Sequence, residues 1–157
     1  MKYQKLTDEQ IQLDVEKLNG YLCAIEMMNV AANTGVEYTF IRLPEKSTLL
    51  KSIESNIAAI YPDTVLANWH LSLEQMSESQ LAESVNTWFF HTGKATSLNH
   101  ELASLPVGFM DLLKQLVYAP NIYRVTMIPP VWYAISWETF VFDSKNGFFL
   151  LEFNFDA

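Results

Sequence analysis

The segment that most constrains the fold is 131–157, where two stretches rich in aromatic and β-branched residues flank Asn146-Gly147. Because Asn-Gly tolerates the positive φ angles of a type I′ turn, this segment predicts a C-terminal β-hairpin. With Asn146 and Gly147 as the two central turn residues, Phe142 faces Leu151 across the hairpin. A four-residue loop, Ser144 to Gly147, keeps the same two faces, whereas a three- or five-residue loop turns one strand over.

Alternation along the two strands gives the hairpin two different faces. The first face is apolar and is predicted to lie in the core; it carries Phe140, Phe142, Phe149, Leu151, Phe153 and Phe155. The second face mixes aromatic, aliphatic and acidic residues, namely Tyr133, Ile135, Trp137, Thr139, Val141, Leu150, Glu152, Asn154 and Asp156.

Two interpretations of the second face stay open. In one, a helix covers its aromatic residues and leaves only the acids outside, because aromatic residues usually lie in the core. In the other, the face is exposed and binds a protein partner through aromatic residues inside an acidic rim. On the second interpretation the candidate partner-binding residues are Tyr133, Trp137, Glu152, Asn154 and Asp156.

One charged residue, Glu138, falls on the apolar face of the hairpin beside Phe155. A buried carboxylate is costly unless it is paired. We therefore expect either that Glu138 is solvated at an open end of the sheet or that it pairs with Arg124 or Arg42, the two arginines of the chain.

The charge of the chain limits its partners. Ten Lys and Arg residues oppose 18 Asp and Glu residues, giving a formal charge of −8. Nucleic-acid binding needs a basic surface, so this charge argues against it and favours a basic protein partner, or solubility alone. The polar start of the chain does not resemble a signal peptide, and no apolar run approaches the roughly 20 residues of a membrane span. We therefore expect a cytoplasmic protein that binds no membrane.

No motif for catalysis, a cofactor or a metal is present. His70, His91 and His100 lack metal-ligand spacing, and the single cysteine, Cys23, excludes a disulfide within the chain. Cys23 lies inside a predicted helix, where we expect it to be buried. The sequence lacks glycine-rich phosphate loops and nucleophile motifs, so we predict a protein that is not an enzyme and that holds no cofactor or metal.

The rest of the chain carries helix and strand patterns. A capping box of Thr7 and Gln10 starts a first helix, and its apolar stripe is Ile11, Val15, Leu18, Leu22 and Ile25. Ser47 is predicted to cap a second helix, whose buried side is Leu49, Leu50, Ile53, Ile57 and Ile60. Further helices are predicted from Ser77, over 97–105 and from Pro106, and further strands over 36–43 and 122–128. Together these patterns predict one α+β domain over 1–157, with an antiparallel sheet that ends in the hairpin and packs against several helices.

The hairpin also resembles a known group of proteins. Its order of Trp137-Glu138, aromatic strand, Asn-Gly turn and aromatic strand is similar to the closing segment of several small bacterial toxin-immunity proteins. The resemblance implies a compact acidic α+β protein of the cytoplasm that binds a toxin.

The leading hypothesis is therefore a non-enzymatic binding protein that neutralises a basic toxin or effector by occluding it. One alternative is an adaptor or structural domain whose acidity aids solubility. A second is a small-molecule-binding protein or an enzyme, with a pocket between the sheet and the helices.

Overall fold

In a computed structural model, residues 4–30, 35–118 and 120–156 are described, apart from the side chains of residues 93 and 94. The fold is α+β, as the sequence predicts. The described strands form one antiparallel sheet in the order β1-β5-β4-β3-β2. These strands are β1 (Gly35–Arg42), β2 (Ser72–Met76), β3 (Asn121–Thr126), β4 (Ser136–Ser144) and β5 (Gly147–Asp156). The described helices are α1 (Asp8–Met28), α2 (Leu49–Ile60), α3 (Glu78–Phe89), α4 (Gly93–Leu98) and α5 (Ser104–Leu116), with a 3₁₀ turn at Leu66–Trp69.

β4 and β5 form the predicted hairpin, and Asn146-Gly147 lies in its tight turn, but the register predicted with these two residues at the centre of the turn is wrong. The observed pairing of Asp143 with Phe148 is the one expected from the alternative loop, Ser144 to Gly147. Phe142 pairs with Phe149 rather than with Leu151, and Ser144 pairs with Gly147. A type I′ turn needs two consecutive positive φ angles, whereas here only Gly147, at φ 124°, has one. Because the pairing moves by two residues, each side chain keeps its predicted face.

The position of the turn is explained by the side chain of Asn146, which is buried. Its amide donates a hydrogen bond to the carbonyl oxygen of Leu116 at 2.7 Å, and its Oδ1 accepts one from the backbone N–H of Leu6 at 3.2 Å. Asn146 therefore joins the hairpin turn to the end of α5 and to the start of the chain, in addition to its place in the turn.

The first face of the sheet carries the larger core, and α1, α3 and α5 cover it. The whole predicted apolar stripe of α1 is buried in this core. The predicted apolar face of the hairpin is confirmed: Phe140, Phe142, Phe149, Leu151 and Phe153 are fully buried, and Phe155 is half-buried.

A smaller core lies on the second face of the sheet, under α2 and the 3₁₀ turn. It is built from Leu43, Leu49, Ile53, Ile57, Trp69, Val125, Val141 and Leu150. The sheet is therefore a middle layer with helices on both sides, and the second side has the smaller cover.

Several local predictions are wrong. Cys23 is exposed, because it lies off the buried stripe of α1. Leu50 and Ile60 are exposed on α2, whose N-cap is Thr48 rather than Ser47. The segment 97–105 does not form one helix, because α4 ends at Leu98 and α5 begins at Ser104.

Glu138 is paired, which confirms one of its two predicted alternatives. Its Oε2 lies 3.2 Å from Nη2 of Arg124, and its Oε1 accepts a hydrogen bond from Nε1 of Trp88 at 2.9 Å. Arg42 instead pairs with Asp8 at 3.0 Å. These contacts explain how a carboxylate is tolerated on the apolar face of the hairpin.

Candidate binding site on the second face of the sheet

Helix α2 covers part of the second face of the sheet. One half, which includes Val141 and Leu150, is buried against α2. The other half lies beside a cavity rather than in close contact with α2. We call it the open half and define it by Glu37, Thr39, Trp137, Thr139, Glu152, Asn154 and Asp156, of which Glu37 and Asp156 are exposed and Thr139 is buried. Tyr133, Trp137, Glu152 and Asn154 are half-buried and Asp156 is exposed, and partner binding by this face stays a prediction.

Tyr133 reaches the open half from a loop, not from the hairpin strand in which the sequence places it. β4 begins only at Ser136, and the loop before it is tied to β5 by a hydrogen bond from Ile135 N–H to the carbonyl of Phe155 at 3.0 Å.

The ring of Tyr133 is part of an aromatic wall. Its centroid lies 6.2 Å from that of Tyr61 and 6.1 Å from that of Trp69, and the Tyr61 and Trp69 centroids are 5.0 Å apart. On its other side, Tyr133 packs edge-on against Trp137 at 5.1 Å. The wall therefore connects the smaller core to the open half.

Glu152 lies at the centre of the open half, and its carboxylate accepts three hydrogen bonds. Oε2 accepts from the Tyr133 hydroxyl and from Oγ1 of Thr139 at 2.6 Å, and Oε1 accepts from Nδ2 of Asn154 at 3.2 Å. β-Pairing sets this geometry, because Thr139 and Glu152 are cross-strand partners.

The pKa values around Glu152 reflect burial beside negative charge. Burial raises the pKa of Glu152, the three hydrogen bonds oppose this rise, and the nearby carboxylate of Glu37 adds to it. Burial, and then the Glu152 carboxylate, raise the pKa of the Tyr133 phenol far above its ordinary value. Burial also raises the pKa of Tyr61, as do Glu152 and Glu37. The site therefore concentrates negative charge next to aromatic rings.

Two adjoining cavities follow this surface. The larger, of about 350 Å³, lies between α2 and the sheet, and Tyr133, Glu152 and Asn154 line it with Glu37 and Trp69. The smaller, of about 200 Å³, shares Glu37, Tyr133 and Asn154 and extends to Asp156. Four of the five predicted site residues thus line the cavities, and Trp137 contacts one of them, Tyr133.

The polar residues that line the two cavities are acidic or neutral. Among the described residues that line the two cavities, none is a lysine, arginine or histidine. Oδ1 of Asn154 is buried and accepts no hydrogen bond from any described residue. No group of three or more His, Cys, Asp or Glu residues in the described part of the chain could hold a metal ion. The arrangement is suited to binding a group that is positively charged and donates hydrogen bonds.

The sequence alone did not identify three residues of the site: Glu37, Tyr61 and Trp69. Glu37 pairs with Asn154 across β1 and β5, so the pairing of β1 beside the hairpin was the missing information. Tyr61 ends α2 and Trp69 ends the 3₁₀ turn. Their aromatic character was visible, but their position over the hairpin depends on the tertiary fold.

Comparisons with known proteins identify the fold alone. No protein-family model and no curated protein matches the chain. Two crystal structures of citrus MAF1, in space groups C 2 2 21 and P 31 2 1, are similar, with TM-scores of 0.58 and 0.57 at 12% and 14% sequence identity. They cover 91% and 92% of this chain, which covers 98% and 99% of theirs. The chain therefore shares its α+β architecture with citrus MAF1 over nearly its whole length.

In the described ranges, no helix has the length and apolar character needed to cross a membrane.

Proposed function

We propose that this chain is a non-enzymatic binding protein of the cytoplasm that holds a basic protein partner against the open half of the sheet. The observation that carries the proposal is the union of Glu37, Glu152 and Asp156 with Tyr133 and Trp137 on one surface. The described cavity lining there contains no basic residue. Tryptophan and tyrosine are enriched among the residues that dominate binding energy at protein interfaces.

The charge of the chain supports the same partner class. With a formal charge of −8, the protein attracts basic molecules over distances of about 10 Å at moderate salt. The acids of the open half then orient the partner, while the aromatic residues provide the contact area. Electrostatic complementarity of this kind accelerates association more than it slows dissociation.

The specific form that we propose is neutralisation of a basic toxin or effector. The resemblance of the hairpin to the closing segment of toxin-immunity proteins supports this form. The mechanism is steric and electrostatic: a folded acidic domain placed over a basic active site excludes its substrate. No chemical step by this chain is required.

The test begins by capturing a partner from the source cells and purifying it. Association rates are then measured at low and high salt for Glu37→Lys/Asp156→Lys and for a control, Glu16→Lys/Glu83→Lys. Both double variants change the formal charge equally, but the control acids lie on α1 and α3, on the other side of the sheet. We expect the first pair to lower the association rate at least about tenfold more than the control at low salt, and less at high salt. Equal effects of the two pairs would contradict the proposal.

A second candidate function is binding of a small molecule, with or without catalysis. It is favoured by the larger cavity, because about 350 Å³ falls within the range of small-ligand sites. Native mass spectrometry of protein purified from the source cells distinguishes the two functions. A retained compound of one defined mass would favour the small-molecule function, whereas a complex with a basic protein favours the first.

A further inference from the structure

We propose that the larger cavity receives one lysine side chain of the partner, with the ammonium group between Glu152 and Asn154 and the aliphatic stem against α2. This inference rests on the proposed function, since it names the group that the basic partner inserts.

The carboxylate of Glu152 retains some hydrogen-bonding capacity. Its Oε2 already accepts two hydrogen bonds, from Tyr133 and Thr139, whereas its Oε1 accepts one, from Asn154. A carboxylate oxygen accepts about two hydrogen bonds in its plane. Oε1 of Glu152 therefore has room for one more donor.

Asn154, which lies beside Glu152, has a side-chain oxygen without a donor among the described residues. Oδ1 of Asn154 is buried and has no donor among the described residues, although its amide nitrogen donates to Glu152. Rotating the amide by 180° would place Oδ1 against the carboxylate, so the observed orientation is the favourable one. Oε1 of Glu152 and Oδ1 of Asn154 thus both have hydrogen-bonding capacity left. Because Oδ1 has less than 1 Å² of accessible surface, a donor that enters the cavity reaches it only when the Asn154 side chain moves.

The shape of that donor group follows from the geometry. A guanidinium group binds a carboxylate best through both oxygens at once, and Oε2 of Glu152 is already occupied. An ammonium group is a compact charge with three donors. It can donate to Oε1 of Glu152 and, once the Asn154 side chain moves toward the cavity, to Oδ1 of Asn154 as well. The site therefore favours lysine over arginine.

The walls of the cavity fit the rest of a lysine side chain. Ile53 and Ile57 of α2 form an apolar side, against which four methylene groups are stable. Tyr61 and Tyr133 face the cavity with aromatic rings, and a cation near such rings is attracted to their faces. The carboxylate of Glu37 adds a second negative charge at the opening.

The experiment is a ¹H–¹⁵N NMR titration of the full chain with Nα-acetyl-lysine N-methylamide. The probes for comparison are the norleucine analogue, which lacks the ammonium group, the arginine analogue and n-pentylamine. We expect saturable shifts at the Trp69 indole and the Asn154 side-chain amide. Affinity for the lysine compound should be about tenfold or more above that for the norleucine and arginine compounds.

Variants of the full chain locate the binding. Glu152→Gln should weaken lysine-compound binding about tenfold or more, and Glu138→Gln, which changes a carboxylate on the other face, should not. Asn154→Ala removes the unpaired acceptor and should also weaken binding; it keeps the test decisive if Glu152→Gln fails to fold.

Absence of saturable shifts, equal binding of the norleucine compound, or shifts confined to another surface would overturn the lysine assignment. Pentylamine binding at least about tenfold tighter than the lysine compound would assign the cavity to a free amine instead. A partner that binds wild type and Glu152→Gln equally, yet is lost in Glu37→Lys/Asp156→Lys, would overturn the lysine inference and leave the proposed function standing.

Discussion

The phenol of Tyr133 donates a hydrogen bond to Oε2 of Glu152, and so joins the loop before β4 to the middle of β5. The same oxygen accepts a hydrogen bond from Thr139. Because Tyr133 also forms part of the aromatic wall, this contact links the wall to β5.

Tyr133→Phe tests the structural value of that contact. Removing the hydroxyl leaves a buried carboxylate with one donor fewer, and hydrogen bonds to charged groups contribute about 1.5–3 kcal/mol. We expect a loss of that size in the free energy of unfolding, measured with urea. Tyr123→Phe, on the neighbouring strand β3, is the matched control. A loss under about 0.5 kcal/mol is within the range of a neutral surface change. It would mean that a water molecule replaces the hydroxyl as the donor to Glu152.

Phe153→Ala tests the apolar face of the hairpin. Phe153 is fully buried and lies against Tyr38 and Trp88, with centroid distances of 5.0 and 5.7 Å. Truncation of a buried phenylalanine costs about 3–5 kcal/mol, a large part of a typical total of about 5–15 kcal/mol. Denaturant unfolding should show this loss, and Leu13→Ala, at an exposed site on α1, should show little. A loss under about 1 kcal/mol for Phe153→Ala would contradict the described core.

The two faces of the hairpin follow from sequence alternation, and for this reason they could be predicted although the register was wrong. Alternation fixes which side chains share a face, but it does not fix the turn. Asn146 illustrates the difference. Its side chain bonds to Leu116 and Leu6, which are remote in sequence, so no local pattern around the turn contains that information.

The candidate site was predictable only in part, for a similar reason. Glu152, Asn154 and Asp156 lie on β5, where alternation alone assigns their face. Glu37 and Trp69 join them through strand pairing and through the packing of α2, which are properties of the whole fold. The cavity lies between α2 and the sheet, and the placement of α2 over the second face was not visible in the sequence pattern.

Trp137→Ala tests the contribution of the aromatic residues to partner binding. Trp137 is half-buried and packs on Tyr133, so we expect a folded protein. Truncation of a central interface tryptophan costs about 2–4 kcal/mol, which appears mainly as faster dissociation of the captured partner. Stopped-flow or surface-binding kinetics measure this rate. Unchanged dissociation with unchanged stability would place the interface elsewhere, such as the acidic side of α1 around Asp14, Glu16 and Glu26.

The raised pKa of Glu152 predicts how stability depends on pH. Between the ordinary value of 4.5 and the higher folded-state value, the folded protein keeps a proton that the unfolded chain has lost. Stability therefore falls as the pH rises through this window. Unfolding of wild type and Glu152→Gln should show the wild-type stability, relative to the variant, decreasing from about pH 4.5 upward. A relative stability that increases over that range would contradict the effect of burial.

The most direct measurement follows the side-chain carboxyl of Glu152 itself, by ¹³C NMR titration of the full chain with and without saturating Nα-acetyl-lysine N-methylamide. In the free protein we expect a pKa above 4.5, because burial and Glu37 disfavour the charged form. With the lysine compound bound, an ammonium group beside the carboxylate should lower that pKa. A pKa that is the same in both titrations, at a lysine concentration that saturates binding, would mean that no cation lies next to Glu152.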